Sequence, residues 1–170
     1  MKLARKSCNF TVKGEKGAFL TEHRRCVDSI IAYCNDYVYH GRLLPKKGNE
    51  VKYKSLPSKG YVHINSYSSP GKTGSRLNRA EAEAIVCWLE LEKDNLEKTY
   101  KKPIHEIVAV VTPFKAQEAE IRHQIQKISG NEKYKDMIIG TVHSLQGAQC
   151  PIVLFFNSQL SRRPFSFYGA

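Results

Sequence analysis

The 170-residue sequence is poor in the features that mark secreted, membrane-spanning and zinc-binding proteins. Its five cysteines are odd in number, and no two of them are spaced as Cys-x-x-Cys. This pattern argues against a disulfide framework and a zinc site, and it favours a reducing compartment. No apolar run approaches the roughly 20 residues that span a bilayer, and the N-terminus lacks the apolar core of a signal peptide. We therefore expect a cytoplasmic or nuclear protein that is not secreted and has a hydrophobic core of domain size.

Acidic residues are missing from two parts of the chain, and the net charge of +11 is uneven. Segments 61–79 and 137–170 contain no Asp or Glu. Residues 1–60 hold 13 Lys and Arg against 5 Asp and Glu, whereas residues 80–136 hold 9 against 11. A basic portion beside a near-neutral one favours a polyanionic partner, and a basic surface that serves only solubility would give the same counts.

The chain also lacks a phosphate-binding P-loop. Gly71-Lys72-Thr73 matches the end of that motif, but the motif requires a glycine five residues before Gly71, where Ser66 stands. No Asp-Glu metal-binding string follows an apolar run either. We therefore expect the chain to bind neither ATP nor Mg by itself.

Apolar periodicity predicts alternating helices and strands, and hence an α/β fold with a parallel sheet covered by helices on both faces. The predicted helices are 26–38, a helix from Asn78 to near Tyr100, and an amphipathic helix ending at Ser129. Asn78 and Glu81 form a capping-box pattern, and Thr112 is the expected N-cap of the last helix, with Ile121, Ile125 and Ile128 inward. Strands buried on both faces are predicted for 107–111, 137–142 and 151–156, with a short strand at 61–64.

A polar segment containing Thr141, His143, Ser144 and Gly147 separates the last two apolar runs. We expect one helical turn over 144–146, closed by Gly147. Ligands bind at the carboxyl ends of strands in open α/β sheets, so these side chains are candidates for a binding site. An ordinary surface turn would have the same composition.

The order Thr141-x-His143-x-x-x-Gly147-x-Gln149 resembles the fifth motif of superfamily-1 helicases, in the second of their two RecA-like domains. The resemblance implies that Thr141 and His143 contact the backbone of a single nucleic-acid strand. It implies that Gly147 and Gln149 contact the nucleotide, with Gln149 standing where the family usually has Glu. The string 145–147 resembles the branch containing the nonsense-mediated-decay helicase and the lagging-strand nuclease-helicases.

The block 20–31 resembles the fourth motif of the same helicases, which implies that Arg25 reaches the γ-phosphate held by the first domain. A helix starting near Cys26 would place Arg25 against the positive end of the helix dipole, a mild indication of an anion there. A guanidinium binds phosphate through two parallel hydrogen bonds. The alternative is that Arg24 and Arg25 form a solvated pair.

A third string, Thr112-Pro113-Phe114-x-x-Gln117, resembles the family segment beside the strand-binding groove. The resemblance therefore adds Thr112 and Pro113 to the expected nucleic-acid contacts. The exposed N–H groups at a helix start also suit phosphate. A capped helix with no ligand would look the same.

Together the strings cover residues 19–156 and imply a RecA-like, AAA-type domain of the P-loop-NTPase class that lacks its own P-loop. The expected organisation is one partial C-terminal helicase domain over 1–170, with 157–170 as a truncated tail. The implied function is the second motor domain of an ATP-dependent DNA or RNA helicase, inactive alone. Its implied partners are single-stranded nucleic acid and an N-terminal RecA-like domain that brings ATP and Mg; neither a membrane nor a metal ligand of its own is expected. The alternatives are a non-catalytic strand-binding module, a degenerate helicase fragment and a basic domain that binds only protein.

Overall fold

Short strands and helices alternate along the chain in the computed structural model, which describes residues 11, 12, 15, 16, 19–50, 52–71, 75–130, 132–145, 147 and 149–156. The chain divides into two units, Met1–Tyr61 and Val62–Ala170, and each is described by itself. The first unit contains β1 (Thr11–Val12), β2 (Glu15–Lys16), β3 (Glu22–His23), α1 (Asp28–Tyr37) and β4 (Leu44–Pro45). Strands β1 and β2 pair antiparallel, and β3 and β4 pair parallel.

Helix α1, predicted over 26–38, is present and spans Asp28–Tyr37, so it begins two residues later than expected. Val27 occupies the N-cap position with φ −59° and ψ 152°, which is not helical. The Asp28 N–H donates to the Gly48 carbonyl, and the Gly48 N–H donates to the Asp28 carboxylate, each at 3.0 Å. A carboxylate in the first turn stabilises the positive end of the helix dipole, so this contact sets where the helix begins.

The second unit is built on a parallel sheet with the strand order β8-β7-β9. Its elements are β5 (Ser69–Pro70), β6 (Arg76–Leu77), α2 (Arg79–Tyr100), α3 (Ile104–Ile107), β7 (Val108–Val111), α4 (Lys115–Ser129), β8 (Ile139–Gly140), a 3₁₀ helix (Val142–Leu145) and β9 (Ile152–Phe155). Central strand β7 pairs with both neighbours at Val110, opposite Ile139 on one side and Leu154 on the other. The predicted α/β class, with a RecA-like parallel sheet flanked by helices, is confirmed.

The core of the second unit forms where α2 and α4 pack together beside β7. All four residues of β7 are buried, as its uncharged, β-branched sequence predicts. The two helices add the fully or almost fully buried side chains Ala82, Ile85, Val86, Leu89, Leu96, Ile121 and Ile125. Burial of each large apolar side chain among them stabilises the folded unit by roughly 1.5–3 kcal/mol.

Three predicted details of burial and pairing are wrong. Ile128 is 41% exposed, and the buried face of α4 includes Gln117 and Gln124 instead. Val153 and Phe155 in β9 are 52% and 59% exposed, because β9 lies at an edge of the described sheet and only one of its faces is covered. Residues 61–64 contain no strand; the antiparallel pair β5–β6 follows them instead.

Of the two N-caps predicted in the second unit, one is confirmed and one is wrong. The Asn78 carboxamide oxygen accepts the Glu81 N–H at 3.2 Å, so the predicted N-cap of α2 is confirmed. Thr112 is not the N-cap of α4, because that helix begins at Lys115 with Phe114 at the N-cap position. The Thr112 hydroxyl instead accepts the N–H of Phe114 at 3.3 Å, which forms a local turn between β7 and α4.

Candidate nucleic-acid interface

The carboxyl ends of β7, β8 and β9 meet at one edge of the parallel sheet. The Thr112 N–H donates to the Gly140 carbonyl at 3.0 Å, and the Phe156 N–H donates to the Val111 carbonyl at 2.8 Å. Thr112 directly follows β7, and Thr141 directly follows β8. The sheet therefore brings the segments that carry Thr112 and Thr141 side by side, at the edge where open α/β sheets bind ligands.

The chain turns into a 3₁₀ helix immediately after Thr141. The Thr141 carbonyl accepts both the Ser144 N–H at 2.9 Å and the Ser144 hydroxyl at 2.6 Å. Thr141 is half-buried under this turn, whereas His143 is exposed. The helical turn expected at 144–146 is therefore present as a 3₁₀ helix that begins at Val142, and Gln146 lies outside the described residues.

Gly140 allows this turn to lie close to the end of the strand. A Cβ at this position would collide with the Ser144 hydroxyl and crowd the Ser144 Cβ at 3.2 Å, so a larger residue would require the Ser144 side chain to shift. The sequence pattern includes Ser144 among the candidate side chains but assigns no role to Gly140. The requirement for glycine here comes from a contact four residues away, which no local pattern in the sequence reveals.

An ion pair on α4 contacts the backbone of strand β8. The Arg122 guanidinium donates to the Ile139 carbonyl at 2.8 Å, and its Nε lies 3.6 Å from a carboxylate oxygen of Glu118. Arg122 therefore fixes Ile139, the first residue of β8, which precedes Gly140 and Thr141. The spacing of four residues between Glu118 and Arg122 is the sequence signal that could have predicted the pair, although not its contact with the strand.

Thr112 and Pro113 differ in accessibility. Thr112 is fully buried, and Pro113 is exposed. At the start of α4, the Ala116 N–H already donates to the Ser75 hydroxyl at 3.3 Å, so this N–H is not one of the open donors expected there. Exposed groups available to a ligand at this edge therefore include Pro113 and His143.

The strand end itself carries no net charge. Residues 137–156 contain no Asp, Glu, Lys or Arg. A phosphate at this edge would be held by hydrogen bonds from hydroxyl, imidazole and backbone N–H groups, which set position without reading sequence. Gly147 and Gln149 follow the 3₁₀ helix and are exposed, with Gly147 at φ +91°, a conformation that favours glycine.

Arg25 lies in the first unit, three residues before α1, and it is exposed. It makes an interaction of its own, so it is not a free cation. The adjacent Arg24 pairs with Glu22 at 2.8 Å, and its hydrogen bond and charge lower the pKa of that carboxyl. Arg24 and Arg25 are therefore not equivalent. The implied contact of Arg25 with a γ-phosphate stays a prediction.

Neither a metal-ligand cluster nor a membrane-spanning helix occurs in the portion of the chain that the structure describes. That portion holds no cluster of three or more His, Cys, Asp or Glu side chains arranged to bind a metal ion. Within it, no helix combines the length and apolar character needed to cross a membrane.

Comparison with known proteins identifies the family. The family model described as an AAA domain matches residues 5–163. This domain is found in the C-terminal regions of superfamily-1 helicases, and it is a helicase-like motor domain of a nucleotide-binding family. No curated protein matches the sequence. Because the match covers nearly all of the chain, this protein belongs to the AAA domain family.

Proposed function

We propose that this chain acts as the second motor domain of an ATP-dependent DNA or RNA helicase. The observation that carries the proposal is the sheet edge where Thr141, the 3₁₀ helix and the Thr112–Pro113 segment lie side by side. A domain of this kind would contribute backbone contacts to a single strand and a cation to an ATP site completed by a partner domain.

The strand contacts are assigned to the polar groups that follow β8. His143 is exposed on the 3₁₀ helix, and half-buried Thr141 directly precedes that helix. Exposed Pro113 borders this edge, and buried Thr112 shapes the turn beneath it. Thr141, His143 and Pro113 contact phosphate and sugar, so binding should depend little on base sequence, and Thr112 acts through the turn that it shapes.

The nucleotide contacts are assigned to Arg25, Gly147 and Gln149. The chain has no P-loop, so ATP and Mg would be held by an N-terminal RecA-like domain and only completed by this one. An arginine supplied from outside the phosphate-binding domain stabilises the charge that develops during phosphoryl transfer. The amide of Gln149 can still donate or accept a hydrogen bond where a carboxylate would only accept.

The test of strand binding is a fluorescence anisotropy titration with two single strands of unrelated sequence. His143→Ala should weaken both complexes by a similar factor, on the order of tenfold, while His63→Ala, another exposed histidine, should leave both unchanged. Binding of the unaltered chain should also fall steeply as salt rises. Absence of strand binding, or an effect of His143→Ala confined to one sequence, would overturn the proposal.

A second candidate is a strand-binding module with no part in ATP hydrolysis. Like the first candidate, it accounts for the absence of a P-loop, because Gly71 directly follows β5 of the antiparallel pair β5–β6 and its N–H donates to the Ser75 carbonyl at 2.6 Å. A P-loop would instead join a strand to a helix. Adding a separate P-loop-containing helicase domain distinguishes the two candidates, since strand-stimulated ATP hydrolysis is expected only for the motor domain.

A further inference from the structure

Helix α1 exposes two tyrosines that the proposed function does not use. Tyr33 and Tyr37 are 69% and 75% exposed, and their rings lie 6.0 Å apart at an angle of 9°. Ile30 is also exposed on this helix, and Ile31 is its only buried residue. A nearly parallel aromatic pair in solvent adds little to a core, so its role is better sought in binding.

The segment after α1 is held firmly against the C-terminal end of the helix. The Asn35 side chain donates to the Leu43 carbonyl at 3.0 Å and accepts the Leu43 N–H at 2.8 Å. The Gly41 N–H donates to the Asn35 carbonyl at 2.9 Å. Residues 38–43 are therefore fixed relative to the last turn of α1, which carries Tyr37.

This fixed segment combines aromatic rings with positive charge. The Arg42 guanidinium lies 4.5 Å from the ring centroid of Phe19, and that ring lies 6.2 Å from Tyr39. Residues 37–49 contain Arg42, Lys46 and Lys47 and no Asp or Glu. Surfaces that bind single strands without sequence preference combine basic groups for the phosphates with aromatic rings for the bases.

Charge selects the occupant of this surface. An apolar face without an excess of one charge would indicate a protein partner. Segment 37–49 is instead positive, so it complements a polyanion. Helix α1 carries two acidic residues: the Asp28 carboxylate accepts the Gly48 N–H, and Asp36, exposed beside Tyr37, opposes such a partner. The aromatic pair and the adjoining cations together fit a nucleic-acid strand with unstacked bases.

We infer that Tyr33 and Tyr37 form a base-stacking surface for single-stranded nucleic acid, with residues 37–49 supplying positive charge for its phosphates. The inference rests on the proposed function and adds a second contact region, within the first unit. This region recognises the faces of the bases, whereas the Thr141–His143 edge recognises the backbone. Stacking tolerates any base, so it would raise affinity without adding sequence specificity.

The experiment compares an oligothymidine strand with an abasic strand of equal length and charge, using fluorescence anisotropy. The unaltered chain should bind the strand with bases on the order of tenfold more tightly. The double variant Tyr33→Leu with Tyr37→Leu keeps apolar surface and helix propensity but removes the rings. It should bind both strands with the affinity that the unaltered chain has for the abasic strand.

Two control variants complete the experiment. Tyr33→Phe with Tyr37→Phe keeps the ring faces and should preserve the preference for bases. Tyr61→Leu with Tyr67→Leu changes two other exposed tyrosines and should also preserve it. Circular dichroism verifies that each variant keeps its helices.

The outcomes separate the two proposals. If the Leu double variant still prefers bases, or the unaltered chain binds both strands equally, the stacking surface is overturned while strand binding stands. If the Leu variant weakens both strands equally, the tyrosines do not act by stacking, and the inference is again overturned. If the unaltered chain binds neither strand, the proposed function itself fails.

Discussion

Both polar atoms of the Gln117 side-chain amide form hydrogen bonds with the backbone of Asn78. Its Oε1 accepts the Asn78 N–H at 2.6 Å, and its Nε2 donates to the Asn78 carbonyl at 3.1 Å. Both residues are buried, and Asn78 is itself the N-cap of α2. Gln117 on α4 thus fixes the start of α2. The contact joins the segments Asn78-x-x-Glu81 and Thr112-to-Gln117 through two residues that are 39 positions apart in the sequence.

We expect Gln117→Leu to destabilise the second unit by about 1–3 kcal/mol. The substitution leaves the Asn78 N–H buried without a partner, which costs about 1–3 kcal/mol, whereas the Asn78 carbonyl still accepts the Ala82 N–H at 3.1 Å. Urea unfolding followed by circular dichroism measures the change, with Gln126→Leu as the exposed control on the same helix. A loss no larger than that of the control would show that the two hydrogen bonds are unimportant.

Gln124 should behave in the opposite way. It is buried, its Nε2 donates to Glu120 at 2.8 Å, and its Oε1 has no hydrogen-bond partner among the described residues. Gln124→Leu removes the unsatisfied oxygen and adds apolar contact, so stability should rise by about 1 kcal/mol. Glu120 keeps its ion pair with Arg79 at 3.2 Å. A clear loss of stability in the same urea assay would contradict this expectation.

Lys101 ends α2 in the left-handed conformation, with φ 54° and ψ 42°. Glycine adopts this conformation without the steric cost that a side chain incurs. Lys101→Gly should therefore raise stability by about 0.4–1 kcal/mol. The matched variant Lys98→Gly, inside the last turns of α2, should lower stability by about 1 kcal/mol. Thermal unfolding of the pair measures both signs, and equal shifts would exclude the conformational explanation.

The Lys93–Glu97 pair should make stability depend on pH at both ends of the scale. Burial disfavours the Glu97 carboxylate, but Lys93 at 2.7 Å and the Ile104 N–H outweigh it and lower its pKa from 4.5. The hydrogen bond to Glu97 is the main cause that raises the pKa of Lys93 above 10.5.

The signs follow from linkage between protonation and folding. A lowered carboxyl pKa stabilises the fold above about pH 4.5 and loses that effect as pH falls below it. A raised ammonium pKa stabilises the fold below about pH 10.5 and loses that effect at higher pH. Glu97→Gln keeps an acceptor for Ile104, so its deficit in unfolding free energy should be constant near neutral pH and shrink below pH 4.5. A deficit that does not change with pH would contradict the assignment.

Arg25 should matter for turnover and not for folding. Arg25→Ala changes an exposed side chain, so it should alter stability by about 0–1 kcal/mol. In an enzyme reconstituted with a P-loop domain, the same change should lower ATP turnover on the order of 10³-fold, as loss of such arginines does. Arg24→Ala, which breaks the pair with Glu22, is the control and should leave turnover unchanged. Equal turnover losses for the two variants would remove Arg25 from its proposed role.

Much of the candidate site could be predicted because its signals are local in sequence. The buried strand β7, the N-cap at Asn78 and the extent of α2 follow from residue type and periodicity over a few positions. The order of elements places the polar residues that follow β7 and β8 at one sheet edge. The sequence therefore determined the α/β class, and it placed the Thr141–His143 segment at the end of a strand.

The remaining features were decided by contacts between distant residues. Whether a strand is central or at an edge depends on the order β8-β7-β9, so the open face of β9 was not visible in its apolar sequence. The burial of Gln117 was not visible in the apolar periodicity of α4, because it depends on the Asn78 backbone, which forms hydrogen bonds with both polar atoms of the glutamine amide. Periodicity reports which side chains prefer apolar surroundings, but only the tertiary structure supplies the neighbour that makes a buried polar group stable.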